Sequence, residues 1–143
     1  MKGPLVLLSM LVFISCSRKE GHHESGDWKA LDDFHAVMAR AYHPLKDSGS
    51  VASAKNLIRE LVAGADKLLT EPLPKKVDNA AMKSDIEKLK ADTQRLATEI
   101  NNGANDELVK EKLTALHDQF HKIMEGWHRS GKEGDDEDDH GED

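Results

Sequence analysis

The sequence predicts an all-α protein, folded as an antiparallel up-down-up-down four-helix bundle. From about residue 27 to residue 130 the apolar residues recur three and four positions apart, and no stretch alternates with period two over the length of a strand. Turn-forming residues interrupt this pattern near Gly49, Pro72 and Gly103. Four amphipathic segments with short loops favour a bundle whose first helix lies antiparallel to the fourth. A dimer of helical hairpins would need the same apolar stripes and stays open.

Helix 1 is predicted to start at about Asp27, which is a suitable N-cap residue. It is predicted to end at His43, because Pro44 disfavours helical geometry in the residue before it. Its apolar face is predicted to carry side chains spaced three and four apart, namely Trp28, Leu31, His35, Met38, Tyr42 and Leu45.

The other three helices are bounded by turn signals. Helix 2 is expected after Gly49 with Ser50 as its N-cap, and Glu71-Pro72-Leu73-Pro74 stops it. Helix 3 closes at Asn102-Gly103 and helix 4 begins near Asn105. The predicted apolar faces are Ala54, Leu57, Leu61, Ala65 and Leu68 in helix 2; Met82, Ile86, Leu89, Thr93, Leu96 and Ile100 in helix 3; and Val109, Leu113, Leu116, Phe120, Ile123 and Trp127 in helix 4.

The N-terminal segment has the pattern of an export signal. A lysine precedes a short apolar run, which is too short to cross a bilayer and indicates a signal peptide over residues 1–15. Cys16, the only cysteine, follows this run and resembles the lipidated cysteine of bacterial lipoproteins. Residues 16–26 then form the lipidated N-terminus and a flexible tether. We therefore expect a periplasmic protein of a Gram-negative bacterium, anchored to the membrane by a lipid.

Residues 131–143 are predicted to be an acidic disordered tail, because they hold eight carboxylates, one lysine and His140. Its charge equals the formal net charge of −7 for the whole chain, so the rest of the chain is balanced. No basic surplus exists to neutralise phosphates, which argues against a nucleic-acid partner. The tail is either a solvated segment or a weak site for cations.

Histidines on helices 1 and 4 are the main functional signal, since helices 2 and 3 have none. At about 100° per residue, a continuous line forms on the flank of helix 4. Its members are His117, His121, Met124 and His128.

If His35 opposes His121 across antiparallel helices, Met38 faces the turn of His117, and Trp28 faces His128. Imidazole nitrogen and thioether sulfur suit copper best, then zinc or nickel. Asp32 or Asp33 could add an oxygen or a hydrogen bond to a ligand. The predicted metal ligands are His35, Met38, His117, His121 and Met124.

Each of these residues also has a simpler interpretation. The helix 4 line could be a solvated flank, and His35 could be a histidine at the edge of the core that bonds an aspartate. His43 suits the negative end of the helix dipole and has only a secondary claim as a ligand. Met38 and Met124 could simply fill the core.

The region from Trp28 to His128 resembles the small periplasmic cytochromes of the cytochrome b-562 family. The matching motifs are Leu31-Asp32-Asp33 in helix 1 and Phe120-His121-Lys122 in helix 4. The resemblance implies a four-helix bundle that holds haem b noncovalently, with a methionine of helix 1 and a histidine of helix 4 on the iron. His121 falls on the family's histidine, whereas His35 stands at the methionine position and Met38 lies one turn later.

Three functions follow from these observations. The first is an envelope lipoprotein that binds a copper or zinc ion and serves a metal-handling or redox partner. The second is noncovalent haem b binding by His35 and His121 with electron transfer, although His117 occupies space that a macrocycle would need. The third is a cofactor-free bundle that binds a partner or acts like a chaperone. We expect no enzyme, since no nucleophile or carboxylate pair has a base at a suitable spacing.

Overall fold

The computed structural model describes residues 28–132. These residues form four α-helices and no β-strand, which confirms the all-α prediction. The predicted signal peptide, Cys16, the tether and the acidic tail beyond Lys132 lie outside the described residues. None of the described helices has an apolar stretch long enough to cross a membrane. In chain order the helices are α1 (Lys29–Ser48), α2 (Ala52–Thr70), α3 (Ala80–Asn101) and α4 (Asp106–Lys132), with a short 3-10 turn at Lys75–Val77 between α2 and α3.

Ion pairs between neighbouring helices show how the bundle is arranged. Asp33 near the start of α1 bonds Lys67 near the end of α2, with 2.8 Å between Oδ2 and Nζ. Arg40, farther along α1, bonds Glu60, which lies earlier in α2, at 2.7 Å. The two helices therefore run in opposite directions. Exposed pairs of this kind contribute roughly 0–1 kcal/mol each, so they mark the arrangement more than they stabilise it.

Contacts of the α3–α4 and α1–α4 pairs join the first half of one helix to the second half of the other. Asp85 at the start of α3 accepts a bond from Lys122 in the second half of α4, at 2.7 Å. Between α1 and α4, Trp28 packs edge-on against Trp127 with ring centroids 5.6 Å apart. The last helix therefore returns to contact the first, as expected for an up-down-up-down bundle.

The core follows the predicted stripes of α3 and α4 closely. All six predicted residues of α4 are buried, and five of the six in α3 are buried, with Ile100 partly covered. Burial of each large aliphatic or aromatic side chain contributes roughly 1.5–3 kcal/mol. Thr93 is the one buried polar residue among those described, and its hydroxyl donates to the Leu89 carbonyl at 2.7 Å, which satisfies it within its own helix.

The predicted end of α1 at His43 is wrong, because the helix continues through Pro44 to Ser48. Proline removes one backbone donor but leaves its own carbonyl free. That carbonyl accepts from the Ser48 hydroxyl at 2.9 Å and from the Ser50 amide at 3.2 Å. The helix ends instead at Gly49, whose φ of 72° suits a residue without a side chain.

The predicted apolar faces of α1 and α2 need correction. In α1 the core position belongs to Phe34, which is fully buried, whereas His35 is exposed. In α2 Ile58 is buried and the predicted Leu57 is only partly covered. Each error is one position, because both neighbours fit a spacing of three or four and only the rotation of the helix in the bundle decides between them.

The predicted start of α4 near Asn105 is confirmed, whereas the N-cap of α1 is Trp28 and not the predicted Asp27. Asn79 and Asn105 each accept a bond from the backbone amide three residues later, from Met82 and Leu108, both at 2.9 Å. At α2 the N-cap is Val51 without a side-chain bond, so the prediction of Ser50 is wrong by one residue.

Candidate functional site: a histidine pair between helices 1 and 4

His117 and His121 lie one turn apart on α4 and meet at their ring nitrogens. The two Nε2 atoms are 3.1 Å apart, and the rings are inclined at 65° with centroids 4.4 Å apart. In the neutral pair one Nε2 donates its proton and the other accepts with its lone pair. Spacing of four residues on one helix therefore brings two imidazoles to a single point, as the line on helix 4 predicted.

Helix α1 covers one side of this pair through Tyr42. The Tyr42 ring stacks on the His117 ring with centroids 3.8 Å apart and planes inclined at only 12°. As a result the His117 side chain is 22% exposed. Its Nδ1 atom is buried and makes no hydrogen bond within the described residues, and the nearest carboxylate oxygen, Oδ1 of Asp118, is 3.6 Å away. That distance is too long for a hydrogen bond, but a small movement of Asp118 would close it.

Burial lowers the pKa of His117 below its usual value, because the charged imidazolium loses solvent. The positive charge of His121 lowers it further, and His43 on α1 adds a smaller effect of the same sign. Asp118 acts in the opposite direction by favouring the charged ring. The net result is that His117 stays neutral to lower pH than a free histidine, which is the form that can bind a metal.

The spacing of the pair fits a metal ion. With nitrogen-to-metal bonds of 2.0–2.1 Å, two nitrogens 3.1 Å apart subtend about 100° at the ion. This angle lies between the values for square-planar and tetrahedral coordination, the geometries of copper and zinc. In such a site the ion replaces the proton that the two Nε2 atoms share. The Nδ1 proton of His117 would then point toward Asp118, the arrangement that commonly orients metal-bound histidines.

The structure brings only part of the predicted ligand set together. Met38 is fully buried in the core, so it fills space there, and Met124 is partly buried against the same core. His35 is exposed beside the Phe120 ring, with centroids 5.5 Å apart. Within residues 28–132 no three side chains of histidine, cysteine, aspartate or glutamate converge to hold an ion.

The sequence predicts the alignment of α1 along α4 to within about one residue at Trp28, but it does not predict two neighbours of the histidine pair, Tyr42 and Asp118. Trp28 was predicted to face His128 and contacts Trp127. The sequence pattern places Tyr42 on the apolar face of α1, and it does not single out Asp118 as a partner of His117. A signal for Asp118 was present, since it directly follows His117, but the partner of Tyr42 depends on how α1 is rotated.

Haem fits the interface between α1 and α4, here called the seam, less well than a bare ion does. A macrocycle needs a flat apolar slot between its two ligands. Here the interior of the seam holds Phe34 and Phe120, both fully buried and in contact with centroids 5.0 Å apart. Fully buried Met38 fills the same interior. Haem held by His35 and His121 would therefore require α1 and α4 to separate.

Comparisons with protein-family models, with curated proteins and with solved structures found no match for this chain. The function is therefore argued from the geometry of the histidine pair.

Proposed function

We propose that this protein is a cell-envelope lipoprotein that binds a transition-metal ion, copper or zinc, at the seam between α1 and α4. The observation that supports this proposal best is the 3.1 Å distance between the Nε2 atoms of His117 and His121. Two borderline donors that already lie 3.1 Å apart need little rearrangement to bind an ion.

Three further features suit metal binding. The lowered pKa of His117 means that protons compete less with the ion at neutral pH. Tyr42 holds the His117 ring in place by stacking, so little ring freedom is lost on binding. Asp118 lies close enough to accept the Nδ1 proton after a small movement.

The two predicted ligands of α1, Met38 and His35, differ in burial. Met38 would have to leave the core to bind an ion, at a cost comparable to removing a buried side chain, about 2–5 kcal/mol. His35 is exposed but does not converge with the pair among the described residues, so it is the candidate ligand of α1 only for an ion that a single chain holds. Anchoring through Cys16 would place the site in the envelope, where it would serve a metal-handling or redox partner.

Calorimetric titration of the full-length protein with zinc, and with copper under reducing conditions, tests the proposal. The variants are His117→Ala, His121→Ala and His35→Ala. The matched control is His128→Ala, which removes another exposed histidine of α4. Histidines and carboxylates outside residues 28–132 are common to all variants, so their binding cancels.

Loss of affinity by at least about 100-fold is expected for His117→Ala and His121→Ala, since even an outer partner of a ligand contributes 10–100-fold. The control should bind as the unaltered protein does. Equal affinity in all four variants would refute the proposal. A Soret band on incubation with haem that disappears in His121→Ala would instead assign the seam to haem.

A further inference from the structure

The histidine pair supplies only half of a coordination sphere. We infer that a second copy of this chain supplies the other half, so that two copies join through α4 around one ion held by His117 and His121 of each. This inference rests on the proposed metal binding and adds the identity of a partner and a stoichiometry of one ion per two chains.

The incomplete coordination is the first argument. Zinc in structural sites takes four ligands in a tetrahedral arrangement. The pair provides two, and no third histidine, cysteine or carboxylate of residues 28–132 converges with it. Asp118 faces Nδ1 of His117 and not the Nε2 atoms. Two ligand positions of the ion are thus left for groups from outside the described bundle.

The angle at the ion fits a second pair of the same kind. Each pair subtends about 100° at an ion with bonds of 2.0–2.1 Å, close to the tetrahedral value. Two such pairs at right angles to each other complete a tetrahedron. A two-fold axis through the ion is compatible with this arrangement and makes the interface self-complementary, so assembly stops at two copies.

The surface around the pair allows a second copy to approach. His121 is exposed, and the exposed residues on the same side of α4 carry both signs of charge: Asp118, Lys122 and Glu125. Lys122 is already paired with Asp85 of α3. The two carboxylates left on each copy, Asp118 and Glu125, repel those of an identical surface, and the charge of the bound ion offsets part of this repulsion.

Native mass spectrometry of the full-length protein, released from detergent, counts chains and ions in one measurement. With one zinc ion added per two chains, we expect a dimer with one bound zinc that reverts to the monomer after chelation. His121→Ala should remain monomeric at protein concentrations where the unaltered protein is fully dimeric. His128→Ala, the matched control, should dimerise normally. Circular dichroism should show equal helix content in both variants, because both histidines are exposed.

The outcomes separate this inference from the proposed function. A monomer that holds one zinc ion, lost in His121→Ala, would overturn the dimer and leave metal binding intact. A dimer that persists after chelation or in the His117→Ala/His121→Ala double variant would show that association does not depend on the ion, which also overturns the inference. Zinc binding that no histidine variant changes would overturn both.

Discussion

Tyr42 and His117 stack ring on ring, with centroids 3.8 Å apart and planes inclined at 12°. Tyr42 belongs to the second half of α1 and His117 to the middle of α4, so this contact joins the first and last helices of the bundle. It also covers one face of the imidazole whose Nε2 atom meets that of His121. One contact therefore contributes both to the packing of the seam and to the position of the candidate ligand.

Replacement of Tyr42 tests this contact. We expect Tyr42→Ala to lower the free energy of unfolding by about 2 kcal/mol, since it removes a half-buried ring and an aromatic pair worth 0.5–1.5 kcal/mol. Tyr42→Phe keeps the ring and should stay within about 0.5 kcal/mol of the unaltered protein. Urea unfolding followed by circular dichroism measures both. Equal stability of the Ala and Phe variants would mean that the stack contributes little.

The lowered pKa of His117 predicts a pH dependence of stability in metal-free protein. The folded state binds this proton less readily than the unfolded state, whose histidine has a pKa near 6.5. The stabilising contribution is therefore complete above about pH 6.5 and is lost as the pH falls through the folded pKa. Unfolding measured between pH 7.5 and pH 5 should show a smaller loss in His117→Gln. An NMR titration should place the His117 midpoint below the value of about 6.5 for a free histidine. A midpoint at or above that value would contradict the prediction.

Pro44 inside α1 predicts a stabilising substitution. Proline cannot donate to the carbonyl of Arg40, one turn earlier, so Pro44→Ala restores that bond and removes a poor helix former. Because the helix already has its full length, we expect a gain of roughly 1–3 kcal/mol in the free energy of unfolding. Thermal unfolding checks this, and a decrease in the melting temperature would contradict it. Helix content should remain unchanged.

Two helical glycines provide a matched pair. A Cβ at Gly64 would lie 3.0 Å from Cδ2 of Phe34, a ring that is fully buried and cannot move aside. Gly64→Ala should destabilise the protein by about 1–3 kcal/mol, the usual cost of overpacking. A Cβ at Gly126 would lie 2.9 Å from Cε of Met82, the flexible end of its side chain. Gly126→Ala should therefore be neutral or gain up to about 1 kcal/mol from helix propensity.

Chemical denaturation of the two variants, measured side by side, gives the free energy of unfolding of each. The prediction concerns the difference between them: Gly126→Ala should be the more stable. The reverse order would mean that Phe34 can repack more easily than Met82 can turn.

The sequence predicted the helices correctly where the apolar spacing or an N-cap residue allowed only one assignment. In α3 the residues Met82, Ile86 and Leu89 follow a strict spacing and are buried as predicted. Asn105 starts α4 through its own side chain, a contact between residues three apart that needs no tertiary information. The prediction failed at Pro44, because proline removes only one backbone donor and its carbonyl still accepts bonds from Ser48 and Ser50.

The sequence by itself determined the number of helices, most of their bounds and the line of His117 and His121, because these depend on neighbours within a few turns of the same helix. Only the tertiary structure decided that Phe34 and not His35 enters the core, and that Tyr42 stacks on His117. Both depend on the rotation of α1 about its own axis. Adjacent residues differ by about 100° around a helix, so that rotation is set by how all four helices fill the shared core.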